Sequence, residues 1–337
     1  MKNILNRFLT YLKDNYKCIL INIIVISFCI FASCYNFPYL VYKPGGIIPL
    51  ESRITIEGED INLGDYNMAY VAVSRGNLIN LLLANVFSNW DLVKENAMII
   101  PNSDYETTLK VEKIDMQNAI NTAKYVAFKK AGMNANLNQN SNMIYLIDDN
   151  ANTDLQVLDE ILLVDNKDFN LEEMKDYFNT LEVGSKITFR VKNNNKEYDR
   201  YAYLYEVDGQ KIVGIYLYNI IDVETDPKIE IKAKNSEAGS SGGMMMTLAI
   251  YDALTDGDLT KGKKIVGTGT MDLEGKVGSI GGVKYKLLGA KKDKADIFLI
   301  ARDNYEEAKE IYDKYKLKFE LVCVDTFDDV IAFLNSK

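Results

Sequence analysis

The stretch NSEAGSSGGMMMTLAIYDAL, residues 235–254, sets two adjacent serines, Ser240 and Ser241, among Gly239, Gly242 and Gly243, directly ahead of an apolar run with helical character. A glycine-rich loop that feeds a helix presents unpaired backbone N–H groups and the positive end of the helix dipole, a setting that favours negative charge. A serine there is either an ordinary helix cap or a nucleophile. What could take the hydroxyl proton separates the two. The chain contains no histidine, so a Ser-His-Asp triad and a Cys-His pair are both excluded. A neutral lysine remains, and it serves as a base only if burial or a positive field lowers its pKa from about 10.4 toward roughly 7 to 8.

A lysine of that kind has to sit on an apolar or glycine-rich stretch. Lys286 in GSIGGVKYKLLGA, residues 278–290, does: Ile280 and Val283 precede it, and Leu287, Leu288 and Ala290 follow. Lys284, two positions earlier, points to a different helix face.

The chain has 337 residues, 47% hydrophobic and 26% charged, a globular balance with room for two domains. A net charge of −9 and the lack of a dense Lys/Arg stripe argue against nucleic acid as a partner. From Cys18 to Tyr42 no residue is charged, and CILINIIVISFCIFASCY is long enough to cross a bilayer. Lys2, Arg7, Lys13 and Lys17 precede it against Asp14 alone, while Glu51, Glu57, Glu59 and Asp60 follow, so the positive-inside rule places the N-terminus in the cytoplasm and the bulk outside. A cleaved signal peptide, or a lipoprotein-like segment processed at Cys34 in FASC (31–34), is the alternative, and it exports the bulk as well. Cys18, Cys29 and Cys34 lie in or beside the span, which leaves Cys323, in a strand read as buried (FELVCVDTF), alone in the exported part. Neither a disulfide framework nor a cysteine zinc site can be built from it. No metal or cofactor is expected, with only a carboxylate calcium site left open.

After FPYLVYKPGGIIPL (37–50) come candidate strands RITIEG (53–58) and MAYVAVSRG (68–76), then a helical pattern NLINLLLANVF (77–87) in which Leu78, Leu81, Leu82 and Val86 share one face. DMQNAINTAKYVAFKKAG (115–132) sets Met116, Ile120, Ala123 and Ala127 at helical spacing and ends at Gly132. NANLNQNSN (134–142) reads as a linker by composition. From about 201 onward strands and helices alternate, which argues a mixed α/β domain. GDLTKGKK (257–264) nearly fits a phosphate-binding loop, but Lys264 stands where the magnesium-binding hydroxyl belongs, and the segment joins a helix to a strand, the reverse of what that loop needs. No ATP is expected.

In the middle, LQVLDEILLVDNKDF (155–169) and LEVGSKITFRVKNNNKE (181–197) resemble PDZ domains, although Leu158 stands where that family has the glycine before Asp159 and its peptide-binding loop is not recognisable around Met143–Ile147. EAGSSGGMMMTLAIYDAL (237–254), IVGTGTMDLEGKVGSIGGVKYKLLGA (265–290) and ADIFLIARDN (295–304) resemble the peptidase domain of Lon-type serine proteases, with its G-P-S-A-G, T-G and I-G-G segments and catalytic lysine. The resemblance implies Ser241 as nucleophile, Lys286 as base and Thr268 as the residue that orients the lysine. It makes Gly239, Ser240, Gly242 and Gly243 the backbone loop around the oxyanion, with Ser240 in place of proline and Gly242 in place of alanine.

Taken together, the chain resembles membrane-anchored PDZ-Lon proteases of Gram-positive bacteria, some of which trim secreted signalling peptides. That implies a cytoplasmic N-terminus (1–17), a transmembrane helix (18–36), a Lon-type peptidase domain in two parts (37–140 and 205–337) and a PDZ-like insert (141–204). In such an arrangement the 115–132 helix packs against the serine helix. The implied function is an ATP-independent serine endopeptidase, held at the cell membrane with its bulk outside, that cleaves exported peptides or membrane-protein segments; a homo-oligomer is left open. The rival is a catalytically inactive binding or chaperone module.

Overall fold

The computed structural model describes residues 2–57, 63–255 and 257–337. Gly58, the last residue of the expected RITIEG strand, and the acidic Glu59 and Asp60 lie outside them; Ile54–Ile56 is a strand. The chain divides into two compact units, Met1–Pro44 with Ala72–Met98, and Gly45–Val71 with Ile99–Lys337.

In the larger unit, strands beginning at Tyr66, Ile265, Ile297 and Glu320 pair in that order, all parallel. Alternate residues face opposite sides of a sheet, and here the two sides carry two different cores. Ile265, Ile297, Leu299 and Ala301 meet the helices Tyr105–Lys130, Gly243–Leu254 and Phe327–Asn335 through Met116, Ile120, Ala123, Ala127, Met244, Leu248 and Val330. Val266, Phe298 and Ile300 meet the helices Val283–Lys292 and Tyr305–Lys314 through Val283, Leu287, Ala290 and Ala308. Near-continuous apolar strands such as IFLIA (297–301) follow from being covered on both faces. The long helix that begins at Tyr105 thus shares its core with the serine helix; its Asp104 side chain caps the first turn by accepting from the Thr107 N–H.

A second, five-stranded antiparallel sheet runs in the order Ile215–Thr225, Ala135–Ile147, Glu160–Val164, Lys186–Asn193, Lys196–Tyr203. With helix Leu171–Thr180, capped reciprocally by Asn170 and Glu173, it encloses its own core of Ile144, Phe178, Ile187, Phe189 and Leu204. Here the sequence expectation of an Asn-rich linker at 134–142 is corrected: from Ala135 on, these residues form the first part of strand Ala135–Ile147, paired from Ala135↔Thr225 to Ile147↔Ile215 with register shifts at Tyr216/Leu217 and Tyr218/Ile220. Turn-like composition gives way to pairing with a partner strand some eighty residues distant, with Asn136 and Asn138 left exposed.

Leu158 also finds its reason. Its φ is +72°, the left-handed region in which a side chain is strained by about 1 to 2 kcal/mol, so the place normally held by glycine demands the same backbone here. The following Asp159 is fully buried and held by Arg200 at 2.9 Å, by the Asn193 side chain at 2.8 Å and by the Gln156 N–H at 2.8 Å, the paired and hydrogen-bonded state that a buried carboxylate requires.

Cys323 is only half-buried, because Glu320–Val324 is the edge strand of the parallel sheet. In the smaller unit, helix Tyr16–Cys34 is long and apolar enough to cross a membrane. Helix Leu78–Val86 forms as its spacing predicts, capped by Asn77. None of its residues is buried, however, so the face that Leu78, Leu81, Leu82 and Val86 were expected to share covers no protein core.

Candidate active site

The carboxyl ends of the parallel strands carry the site, the usual place for one in an α/β sheet. Strand Ile265–Thr268 ends with Thr268, which has the same parity as Val266, so its side chain lies on the side of the sheet covered by the lysine helix. The helix Val283–Lys292 starts from Gly282, at φ +73°, where an added Cβ would meet Val71 at 2.6 Å. One turn in, Lys286 points into the core and is 3% exposed. Its ammonium donates to the Thr268 hydroxyl at 3.0 Å. Burial without a counter-charge pushes the Lys286 pKa down to about 8. Lys284, by contrast, stays half-exposed with its ammonium 5.3 Å from the Tyr285 ring centroid.

From the opposite face the serine loop is stitched to the same strand end. The Ser241 carbonyl accepts from the Thr268 hydroxyl at 3.1 Å and from the Gly269 N–H at 2.9 Å, and the Met244 N–H donates to the Gly269 carbonyl at 3.1 Å. Thr268 therefore joins Lys286 to the backbone of Ser241. The helix proper begins at Gly243, with Gly242 as its cap and no side-chain capping bond. Ser241 is thus not the ordinary cap residue, and among the described residues its half-buried hydroxyl has no hydrogen-bond partner.

The backbone loop is less open than its glycines suggest. The Gly239 N–H is held by the Glu112 carbonyl at 2.8 Å, with Gly239 at φ +92°, and the Gly243 N–H by the Ser240 carbonyl at 3.1 Å. Among the described residues, the loop N–H groups with no backbone acceptor are those of Ser240, Ser241 and Gly242, and the two that flank the Ser241 side chain are the candidate donors to an oxyanion. Gly242 has no room for a side chain, since a Cβ there would overlap the Met68 sulfur. The glycine that replaces the family's alanine is therefore matched to Met68. Gly242→Ala is expected to lower stability by roughly 1 to 3 kcal/mol through this overpacking, and the double variant with Met68→Ala to lose less than the two single changes added together, because the smaller side chain relieves the overlap; thermal unfolding of the two single variants and the double variant checks this.

One positioning residue escaped the sequence reading. Asn304, nearly buried just after strand Ile297–Ala301, accepts from the Ile280 N–H at 2.8 Å and donates to the Ile280 carbonyl at 3.0 Å, pinning the turn that launches the lysine helix. The only signal for it was its place at the end of ARDN, which composition does not distinguish from any loop asparagine. Behind the serine loop, desolvation and the neighbouring Glu112 push Asp115 up to about 6, and the Tyr218 hydroxyl donates to it.

Thr268→Val removes the acceptor of the lysine bond and the donor to the Ser241 carbonyl together. The expected result is a fall of about 10- to 100-fold in kcat, with the rising limb of the pH–rate profile displaced to lower pH, because a bond that favours the charged amine is gone. Thr268→Ser should restore both. A pH–rate series on the three proteins is the check.

Residues 231–336 match the profile of the Lon protease (S16) C-terminal proteolytic domain. The chain is 38% identical over 96 residues to the Lon protease of Campylobacter jejuni, covering 28% of this chain and 12% of that protein. It is 38% identical over 93 residues to that of Azospirillum brasilense (28% and 11%) and 37% identical over 100 residues to that of Clostridioides difficile (29% and 12%). The chain thus matches only about an eighth of the length of these relatives. Among solved structures, the PDZ domain of the SdrC-like protein from Listeria innocua is similar at 20% identity, covering 23% of this chain and 94% of that one with a TM-score of 0.22. Its counterpart from Listeria monocytogenes gives 23% identity, 23% and 85% coverage and a TM-score of 0.21.

Proposed function

We propose that this chain, whose C-terminal third is a Lon-type proteolytic domain, is a membrane-anchored serine endopeptidase working through Ser241 and Lys286, with Thr268 positioning the lysine. The observation that carries this reading is the buried Lys286 amine, brought near neutrality in pKa and tied through the Thr268 hydroxyl to the backbone of Ser241.

As a scissile peptide enters, Ser241 Oγ attacks the carbonyl carbon while the neutral Lys286 amine takes the hydroxyl proton. The Ser241 and Gly242 N–H groups receive the oxyanion, aided by the start of the Gly243–Leu254 helix. The C–N bond then breaks, Lys286 returns its proton to the leaving amine, and an ester to Ser241 remains. Water, deprotonated by Lys286, hydrolyses the ester and regenerates the hydroxyl. No step calls for a nucleotide, a metal or a cofactor.

In this reading a PDZ-like insert, expected over 141–204 and extended by the strand pair Ala135–Ile147 and Ile215–Thr225 of its sheet, interrupts the peptidase domain and supplies a second surface for peptide or protein substrates. Helix Tyr16–Cys34 crosses the membrane, the residues before it stay in the cytoplasm, and the bulk lies outside, because Lys2, Arg7, Lys13 and Lys17 crowd the N-terminal end of the span while Lys43 and Arg53 are the nearest basic residues after it. Substrates are exported peptides or the outer segments of membrane proteins. Comparing peptides released from membranes that carry the wild type or Ser241→Ala tests the activity, and protease accessibility of the C-terminal bulk in sealed cells tests the sidedness.

A further inference from the structure

The geometry points to a second membrane element in the smaller unit: helix Leu78–Val86 lies in the lipid interface on the side where the Tyr16–Cys34 span ends. This rests on reading that span as transmembrane. Nineteen helical residues rise about 28 Å, close to the hydrocarbon thickness of about 30 Å, so the last turn of the span, at Ser33, marks the level at which the chain leaves the bilayer. At that level the Asn77 side chain, which also caps the short helix, donates to the Ser33 carbonyl at 3.0 Å. The short helix is therefore tethered at the boundary between acyl chains and headgroups.

Its exposed residues suit that place. Ile79, Leu82 and Val86, at spacings of three and four, form one outward stripe, with Leu82 61% and Val86 74% exposed, and Phe87 continues it. Residues 76–90, between Arg75 and Asp91, carry no charge. The asparagines of the helix turn back on the local backbone: the Asn80 amide donates to the Arg75 carbonyl at 3.0 Å and the Asn85 amide to the Leu81 carbonyl at 2.8 Å. Polar groups satisfied internally are what a lipid-facing segment requires. At nine residues, about 13 Å, the helix is too short to cross and must lie along the surface. At its end the Trp90 ring sits 5.2 Å from Phe87, with the Lys43 ammonium 4.8 Å away, the aromatic and basic pairing of a membrane–water interface.

Trp90 is the single tryptophan of the chain, which makes the depth of this helix directly readable. The full chain is reconstituted in phosphatidylglycerol–phosphatidylcholine vesicles in which the lipid is brominated either near the head of the acyl chain or near its end. The expected result is a fall of about twofold in Trp90 emission with the shallow bromines and a smaller one with the deep ones. The pair Leu82→Gln and Val86→Gln, both exposed and outside the candidate active site, should remove most of that quenching while hydrolysis of a soluble peptide is unchanged. Absence of quenching in the wild type, or quenching untouched by the pair, overturns the proposal. Shielding of Trp90 from aqueous acrylamide without quenching by brominated lipid overturns it in favour of a second copy or a protein partner on this face. If the protein is extracted from vesicles by alkaline carbonate, the span reading fails and the inference with it; if it stays embedded with Trp90 unquenched, only the inference fails.

Discussion

Ser241→Ala is expected to abolish peptide cleavage, by a factor on the order of 10⁴ or more in kcat, while Ser240→Ala should keep activity within about tenfold of the wild type. The doubled serine makes this pair the sharpest test of the site. Both hydroxyls are half-buried on the same loop, so composition does not distinguish them. The backbone does: it is the Ser241 carbonyl that Thr268 and Gly269 grip, and Thr268 in turn holds Lys286. Ser240 contributes its carbonyl to the Gly243 N–H, a bond that alanine at 240 preserves. The loop thus survives either substitution, and loss of activity reports chemistry instead of collapse. Single-turnover assays on detergent-solubilised full-length protein, with thermal unfolding alongside, give the answer. If Ser240→Ala were the inactive variant and Ser241→Ala the active one, the register of the nucleophile would be off by one residue and the Thr268 bridge would lose its catalytic meaning.

How much of this was legible in the chain depends on what distance each feature spans. Lys286 stood out because its own neighbours, Val283, Leu287 and Leu288, are apolar, and a lysine among them is buried by local periodicity alone. Thr268 carried no such signal by itself. Its contact with Lys286 exists because strand parity turns it toward the lysine helix, a property of the assembled sheet, and before the structure only family resemblance pointed to it. The Asn-rich strand was misread for the same reason in reverse: local composition speaks of turns, whereas pairing with Ile215–Thr225 is settled eighty residues away. Helix Leu78–Val86 shows a third limit. Periodicity reveals that apolar residues share a face, but it does not say whether protein or lipid covers that face. Leu158, a departure from the glycine expected there, was legible as an anomaly only; its left-handed backbone shows that the conformation is kept and the residue is what changed.

Lys286→Met is expected to give a protein that is inactive yet more stable at neutral pH. With a pKa of about 8, most of the amine in the wild type is charged at pH 7 and unable to accept the Ser241 proton. Activity should therefore rise with pH, about tenfold per unit below 8, and level above it. Stability follows from the same shift, with its sign fixed by proton counting. Between the folded pKa near 8 and the unfolded value near 10.4 the unfolded chain binds a proton that the native state does not, so raising the pH through this window stabilises the native state. Below pH 8 both states are protonated and the full cost of the buried charge stands, roughly 3 kcal/mol at 1.36 kcal/mol per pKa unit. Methionine fills much of the same volume without the charge. It also strands no partner, since the Thr268 hydroxyl keeps its bond to the Ser241 carbonyl. Thermal unfolding of the two proteins should show the variant ahead at pH 7 and the gap closing toward pH 10. A wild-type pH–rate profile flat from 6 to 9, together with a variant less stable at pH 7, would mean that Lys286 is neither desolvated nor the base.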